Sequence, residues 1–112
     1  MPKRKSYAIF LSADDRIDVD LEFGQVRGKQ RRINRFAITY SAWILGAWRE
    51  VIRYDNFHGY LHRQRFWRTK QPEPLEVEAR VSLDRLIMQV RDDLQKNWQR
   101  WRNLMEKHLR GW

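Results

Sequence analysis

The sequence predicts an α+β fold, an antiparallel meander of about five strands with one face packed by a long C-terminal amphipathic helix. Three observations carry that expectation. Residues 17–23 alternate strictly between apolar side chains (Ile17, Val19, Leu21, Phe23) and acidic ones (Asp18, Asp20, Glu22). A period of two gives a strand one buried and one wet face. Residues 34–67 largely continue that period, with glycines at Gly46 and Gly59 as turn positions. From Leu83 the spacing becomes helical, and Leu86, Ile87, Val90, Leu94, Trp98, Trp101, Met105 and Leu109 complete one apolar stripe.

The chain has 112 residues, which suits one domain, with a sheet over about 7–81 and a helix over about 82–109. Six Trp, five Phe and four Tyr supply apolar surface for a core. The net charge of +9 favours a polyanionic partner: RNA, DNA or an anionic membrane surface. An acidic protein partner would answer the same charge. With no cysteine, disulfides and thiolate metal sites are excluded, and a cytoplasmic setting is expected. The apolar run 7–11 is too short for a signal peptide and meets Asp14 and Asp15 at once. No run approaches the ~18 apolar residues of a membrane span.

In order, residues 1–6 read as a mobile basic tail and 7–11 as a short first strand. Ser12, Asp14 and Asp15 favour a turn. Residues 16–24 form the clearest strand. The stretch 26–35 carries Arg27, Lys29, Arg31, Arg32 and Arg35 without an acid, and reads as a basic loop able to contact phosphates. Its rival reading is a solvated connector. Residues 34–45 read as a central strand, β-branched and aromatic on a pleated surface.

Residues 47–54 and 60–67 form a hairpin about the turn 55–59. Trp48, Ile52 and Tyr54 are expected on one face, with Arg49, Val51 and Arg53 on the other. Tyr60 and Phe66 suit the buried side, so Arg63 and Arg65 would join Arg49 and Arg53 on the open side. Asp18, Asp20 and Glu22 share that open face, where cross-strand ion pairs are worth ~0.2–1 kcal/mol each. Pro72 and Pro74 stop the sheet, and 75–81 is either a last strand or the start of the helix. Ser82 reads as the helix N-cap, with Asp84 in the first turn. The helix, about 40 Å long, either breaks near Lys96 and Asn97 or overhangs and packs on a second copy.

One constellation could carry chemistry: His58 and His62 with Arg53, Tyr54 and Asp55. Metal-independent RNA cleavage needs a proton acceptor, a proton donor and cations at the phosphate, and histidine serves in either proton role near neutral pH. The rival reading makes His58 a turn residue and His62 an inward, hydrogen-bonded one. His108 reads as structural. No cofactor and no metal site is expected, because the spacing of His58 and His62 suits a helix while the pattern puts them on a turn and a strand. Arg63, Arg65, Trp67 and Arg68 interleave charge and aromatic surface as single-stranded nucleic-acid binders do. Arg49 adds to that basic set.

The run Arg53-Tyr54-Asp55-Asn56, then Gly59 and His62, a Pro-containing break and a long helix resembles the TumE-like toxins of prokaryotic toxin–antitoxin modules. It is similar too to small prokaryotic families with an RYDN…HG..H hairpin motif. The resemblance covers about 34–109, with only the hairpin specific. It implies a sheet capped by a helix, and a toxin-like protein acting on RNA as a ribonuclease beside an acidic antitoxin-type partner. His58 and the many tryptophans of the helix depart from that pattern. The alternatives are a non-catalytic RNA- or DNA-binding module and an interaction protein that forms a homodimer through the Trp-rich helix.

Overall fold

The computed structural model describes residues 3–24, 32–57, 59–76 and 81–111. Six antiparallel strands form one open sheet in sequence order: β1 (Lys3–Ser12), β2 (Asp15–Gly24), β3 (Arg32–Ile44), β4 (Ala47–Asp55), β5 (His62–Arg65) and β6 (Glu73–Pro74). One helix, α1 (Leu83–Arg110), packs on β3 and β4. The expected α+β architecture is therefore the observed one.

The alternating residues define the helix side. Ile17 pairs with Tyr40 and Tyr40 with Ile52; Val19 pairs with Ile38 and Ile38 with Tyr54. These side chains and Phe36 are buried together with Ile87, Val90, Leu94 and Met105 of α1. Trp98 meets the Tyr40 ring edge-on at 6.4 Å, and Trp67 stacks on Trp101 at 5.6 Å. The other side of the sheet is open, and carries Asp18, Thr39, Arg53 and Gln64 in one cross-strand row.

The helix is continuous through Lys96 and Asn97. Ser82 caps it by accepting from the Arg85 amide at 3.2 Å, and Gly111, in the left-handed region at φ 74°, closes its end. Its 28 residues span about 42 Å. The 13 residues of β3 span about 44 Å, so the sheet matches the helix end to end. The overhang expected from helix length alone does not arise, because β3 is as long as α1.

Several expectations are corrected. Lys3–Ser6, read as part of a mobile tail, form the first turns of the β1 ladder opposite β2. The sheet has six strands because Glu73 pairs with Arg63 and Pro74 with His62, inside the segment expected to end it. Leu75, Glu76 and Val81 are not in a strand, and 77–80 lie outside the described residues. β5 covers only four residues, and Tyr60, expected to be buried, is 51% exposed.

The faces of the hairpin also differ, through a bulge in the first arm and the pairing register of the second. Tyr40 pairs with Ile52 but Ser41 pairs with Glu50, so Val51 is an extra, bulged residue. A one-residue shift exchanges faces. Trp48 therefore joins Glu50 and Arg53 on the open side, while Arg49 faces the helix side and donates from Nε to the Ile44 carbonyl at 2.9 Å. Arg63 and Arg65 pair with Tyr54 and Ile52, and so lie on the helix side, held by Glu73.

A buried polar knot ties α1 to the strand ends. Asp15, 3% exposed, accepts from the Tyr40 hydroxyl at 2.6 Å and the Ser12 hydroxyl at 2.6 Å, and meets Arg102 Nη1 at 2.8 Å. Arg102 donates further to the Trp43 carbonyl at 2.9 Å and to Glu106 at 2.9 Å. Burial, then the bond to Asp15, pushes the Tyr40 phenol far above its ordinary range, so it acts as a hydrogen-bond donor.

Removing one partner strands a buried charge, so Arg102→Met should cost about 3–5 kcal/mol in urea unfolding. Asp15→Asn with Arg102→Met should cost less than the sum of the two single changes.

Candidate functional site

Asp55 ends β4 and stands opposite His62, the first residue of β5, on the open side of the sheet. Both are 5% exposed. Asp55 Oδ1 is 2.8 Å from His62 Nε2 and accepts from the Phe57 amide at 3.1 Å. Oδ2 accepts from Arg53 Nε at 2.9 Å. His62 Nδ1 lies 3.3 Å from the Tyr60 carbonyl, and the Tyr60 ring is 5.4 Å from the imidazole. His62 is thus buried on the open side of the sheet and not on its inner face, with an oxygen beside each ring nitrogen. In that position it holds Asp55, and Asp55 in turn holds Arg53.

The neighbouring motif residues have equally local reasons. The Asn56 side chain accepts from the Phe36 amide at 2.9 Å and donates to the Asn34 carbonyl at 3.2 Å, extending the ladder as a peptide unit would. Gly59 sits at φ 84°, a region other residues avoid. Tyr54, expected beside the histidines, points to the opposite face because alternate strand residues must. Burial pushes its phenol up, against the pull of Arg63.

Arg53 is the arginine this arrangement presents. Among the described residues its terminal nitrogens make no hydrogen bond, and its guanidinium lies 5.6 Å from the Phe57 ring centre. It lines two adjoining clefts on the open face. The first, about 290 Å³, is edged by Arg4, Arg35, Arg53 and Phe57, with Asp20 and Glu22 below. The second, about 430 Å³, runs on past Thr39 and Ser41 to Arg16 and Trp48. There Arg16 covers the Trp48 ring at 4.5 Å, and Trp48 meets Trp43 edge-on at 5.9 Å. Trp43 and Trp48 are 41% and 37% exposed. The open face therefore carries a groove with arginines at one end and tryptophans at the other.

The sequence-predicted residues divide accordingly. Arg35 and Arg53 come together at the groove, and Arg32 is exposed at the start of β3. Arg49, Arg63 and Arg65 are committed to internal acceptors on the other face, Trp67 is stacked on the helix, and Arg68 is exposed in the turn after β5. Arg27, Lys29, Arg31 and His58 lie outside the described residues. Arg4, Arg16, Trp43 and Trp48 were not expected at a site. Arg4 was legible, since the alternation of Tyr7, Ile9 and Leu11 extends back through Lys5; Trp48 was hidden by the bulge.

Among the described residues no three His, Asp or Glu side chains gather as a metal site. Among those same residues no helix is long and apolar enough to cross a membrane. The model of one family, described as Domain of unknown function (DUF7718), matches residues 1–111. No curated protein and no solved structure matched the chain.

Two outcomes test this geometry. Arg65 donates to both Glu73 oxygens at 2.7 Å, and that bond holds the Glu73 carboxyl below its ordinary 4.5. A depressed value means stability present above pH 4.5 and lost as pH falls through the folded value. Glu73→Gln should therefore lower stability at pH 7 and flatten its fall on acidification, read by urea midpoints across pH. Asp55→Ala should cost about 1–3 kcal/mol, because it removes the buried acceptor of the Phe57 amide and of Arg53 and the carboxylate beside His62.

Proposed function

The chain belongs to the DUF7718 domain family, and from that footing we propose that it is a basic protein directed at nucleic acid, with single-stranded RNA as the expected ligand. The observation that carries this reading is the position of Arg53. One guanidinium, anchored through Nε by a buried Asp55–His62 pair, serves both clefts and faces Arg4 and Arg35 across the first. Arginine presents a planar fork that matches two phosphate oxygens, and a fork held in place loses less freedom on binding. Trp48 and Trp43 supply faces for bases at the far end of the groove, where stacking adds ~1–3 kcal/mol per base. Asp18, Asp20 and Glu50 keep the middle of the groove from being uniformly positive, which favours a track touched at its ends.

The same contacts support a second reading, a toxin-like ribonuclease from a toxin–antitoxin module. The His62–Asp55–Arg53 chain places a titratable ring one residue behind the phosphate-facing cation. In that role His62 acts through Arg53, and direct proton transfer would need the Asp55 contact to open. An acidic antitoxin-type partner fits the net charge of +9 under this reading. The alternative homodimer through the helix has less support: Trp98 and Trp101 are turned to the sheet, and Met88 is the one large apolar side chain that α1 exposes among the described residues.

RNA affinity should fall with salt, with a slope of about −0.7 per phosphate neutralised on a single strand. Arg53→Ala should weaken binding about tenfold and flatten that slope by about 0.7, while Lys96→Ala on the helix leaves both unchanged. Affinity indifferent to salt removes the proposal. RNA cleavage that survives a chelator, and that His62→Ala abolishes without loss of affinity, would favour the ribonuclease reading over plain binding.

A further inference from the structure

The two edges of the sheet are unlike. At one edge β6 is two residues long and ends in Pro74, which has no amide hydrogen to offer. At the other, β1 runs for ten residues and, among the described residues, pairs only with β2. A long free edge presents a row of amides and carbonyls ready for another strand. The helix packs over β3 and β4, so Tyr7, Ile9 and Leu11 are only partly covered, with Arg91 flanking the Tyr7 ring at 5.5 Å. On the open side Phe10 is 65% exposed, the most exposed aromatic among the described residues.

We propose that β1 pairs antiparallel with β1 of a second copy, about a two-fold axis at Tyr7. The strand itself selects that axis. A register shift interrupts β1 between Phe10 and Ser12, so the regular edge ends at Phe10. Pairing must also match faces, which restricts the axis to a residue centre rather than a gap between residues. An axis at Tyr7 uses every residue from Arg4 to Phe10. Arg4 then stands opposite Phe10, Lys5 opposite Ile9, and Ser6 opposite Ala8.

No two cations stand directly opposite each other in this register, and Lys5 and Arg91 of each copy lie against the Tyr7 rings at the axis. The lysines that discourage edge pairing sit at one end of the strand only, and each falls against the apolar end of the other copy. Arg4 gains the face of an aromatic ring. On the helix side, Tyr7 and Ile9 of the two copies form one apolar row. An axis at Ser6 would leave Phe10 unpaired and exposed.

The pairing also alters the groove. Arg4 edges the first cleft, so Phe10 of the second copy comes to its rim. Because the axis is perpendicular to the sheet, both grooves open on the same side of a twelve-stranded sheet, and one RNA strand could engage both. That consequence rests on the RNA reading. The dimer does not, since its test uses no nucleic acid.

Sedimentation velocity on the full chain should give a mass twice that of one copy. Phe10→Lys sets a cation against Arg4 and should raise the dissociation constant about tenfold or more, the factor made by ~1.4 kcal/mol. Arg4→Glu added to Phe10→Lys restores an attractive pair and should restore the dimer. Hydrogen exchange on the unaltered chain gives an independent measure, because amides within 4–10 should slow as concentration rises. A monomeric wild-type chain overturns the proposal and leaves the edge to a strand of another protein. A dimer indifferent to Phe10→Lys, with exchange in β1 independent of concentration, overturns it in favour of another surface.

Discussion

The packing of this protein turns on one buried carboxylate. Asp15 sits at the first position of β2, where the sheet meets the far end of α1, and takes bonds from Ser12, Tyr40 and Arg102 at once. Apolar contact alone would let a long helix slide along a long sheet, since leucine and valine faces match in many registers. A charge removed from water cannot slide, because any other register leaves it without its cation. The knot therefore fixes where α1 stops relative to β3, and so which side chains the helix covers. By covering one face it leaves the other open for the groove.

The groove reuses that device on a smaller scale. Asp55 is buried as Asp15 is, and it too binds an arginine while a second group holds its other oxygen. At Asp15 the arginine belongs to the helix and locks the fold. At Asp55 the arginine is on the same strand, two residues away, and its fork turns to the open face. One supports architecture and the other supports presentation, and the difference lies in which face the carboxylate occupies and which element supplies its arginine.

Much of this was legible because apolar alternation and helical spacing report burial directly. The β2 pattern from Ile17 to Leu21 and the stripe from Leu83 to Leu109 lie where their spacing puts them. The failures share a cause. Val51 is apolar and looks like an ordinary strand residue, so nothing in its identity marks a bulge, yet it exchanges the faces of Trp48 and Arg49. Glu73 lies between two prolines, and only the salt bridge to Arg65 shows why a strand pair forms there. His62 could not be oriented from sequence, because its direction depends on Asp55 across the ladder and on the Tyr60 carbonyl in the connector. Contacts between elements are not periodic, and periodicity was the signal at hand.

The contrast between the edges has a bearing on polymerisation. A fibre grows only when each added unit offers a fresh edge to the next. Here one edge is two residues long and finishes in proline, so a copy added at β1 presents no equivalent template beyond itself. A second copy paired at β1 as proposed would leave outward no strand edge as long as β1. Under that pairing, a chain rich in aromatic strands would present little for a further copy to add to.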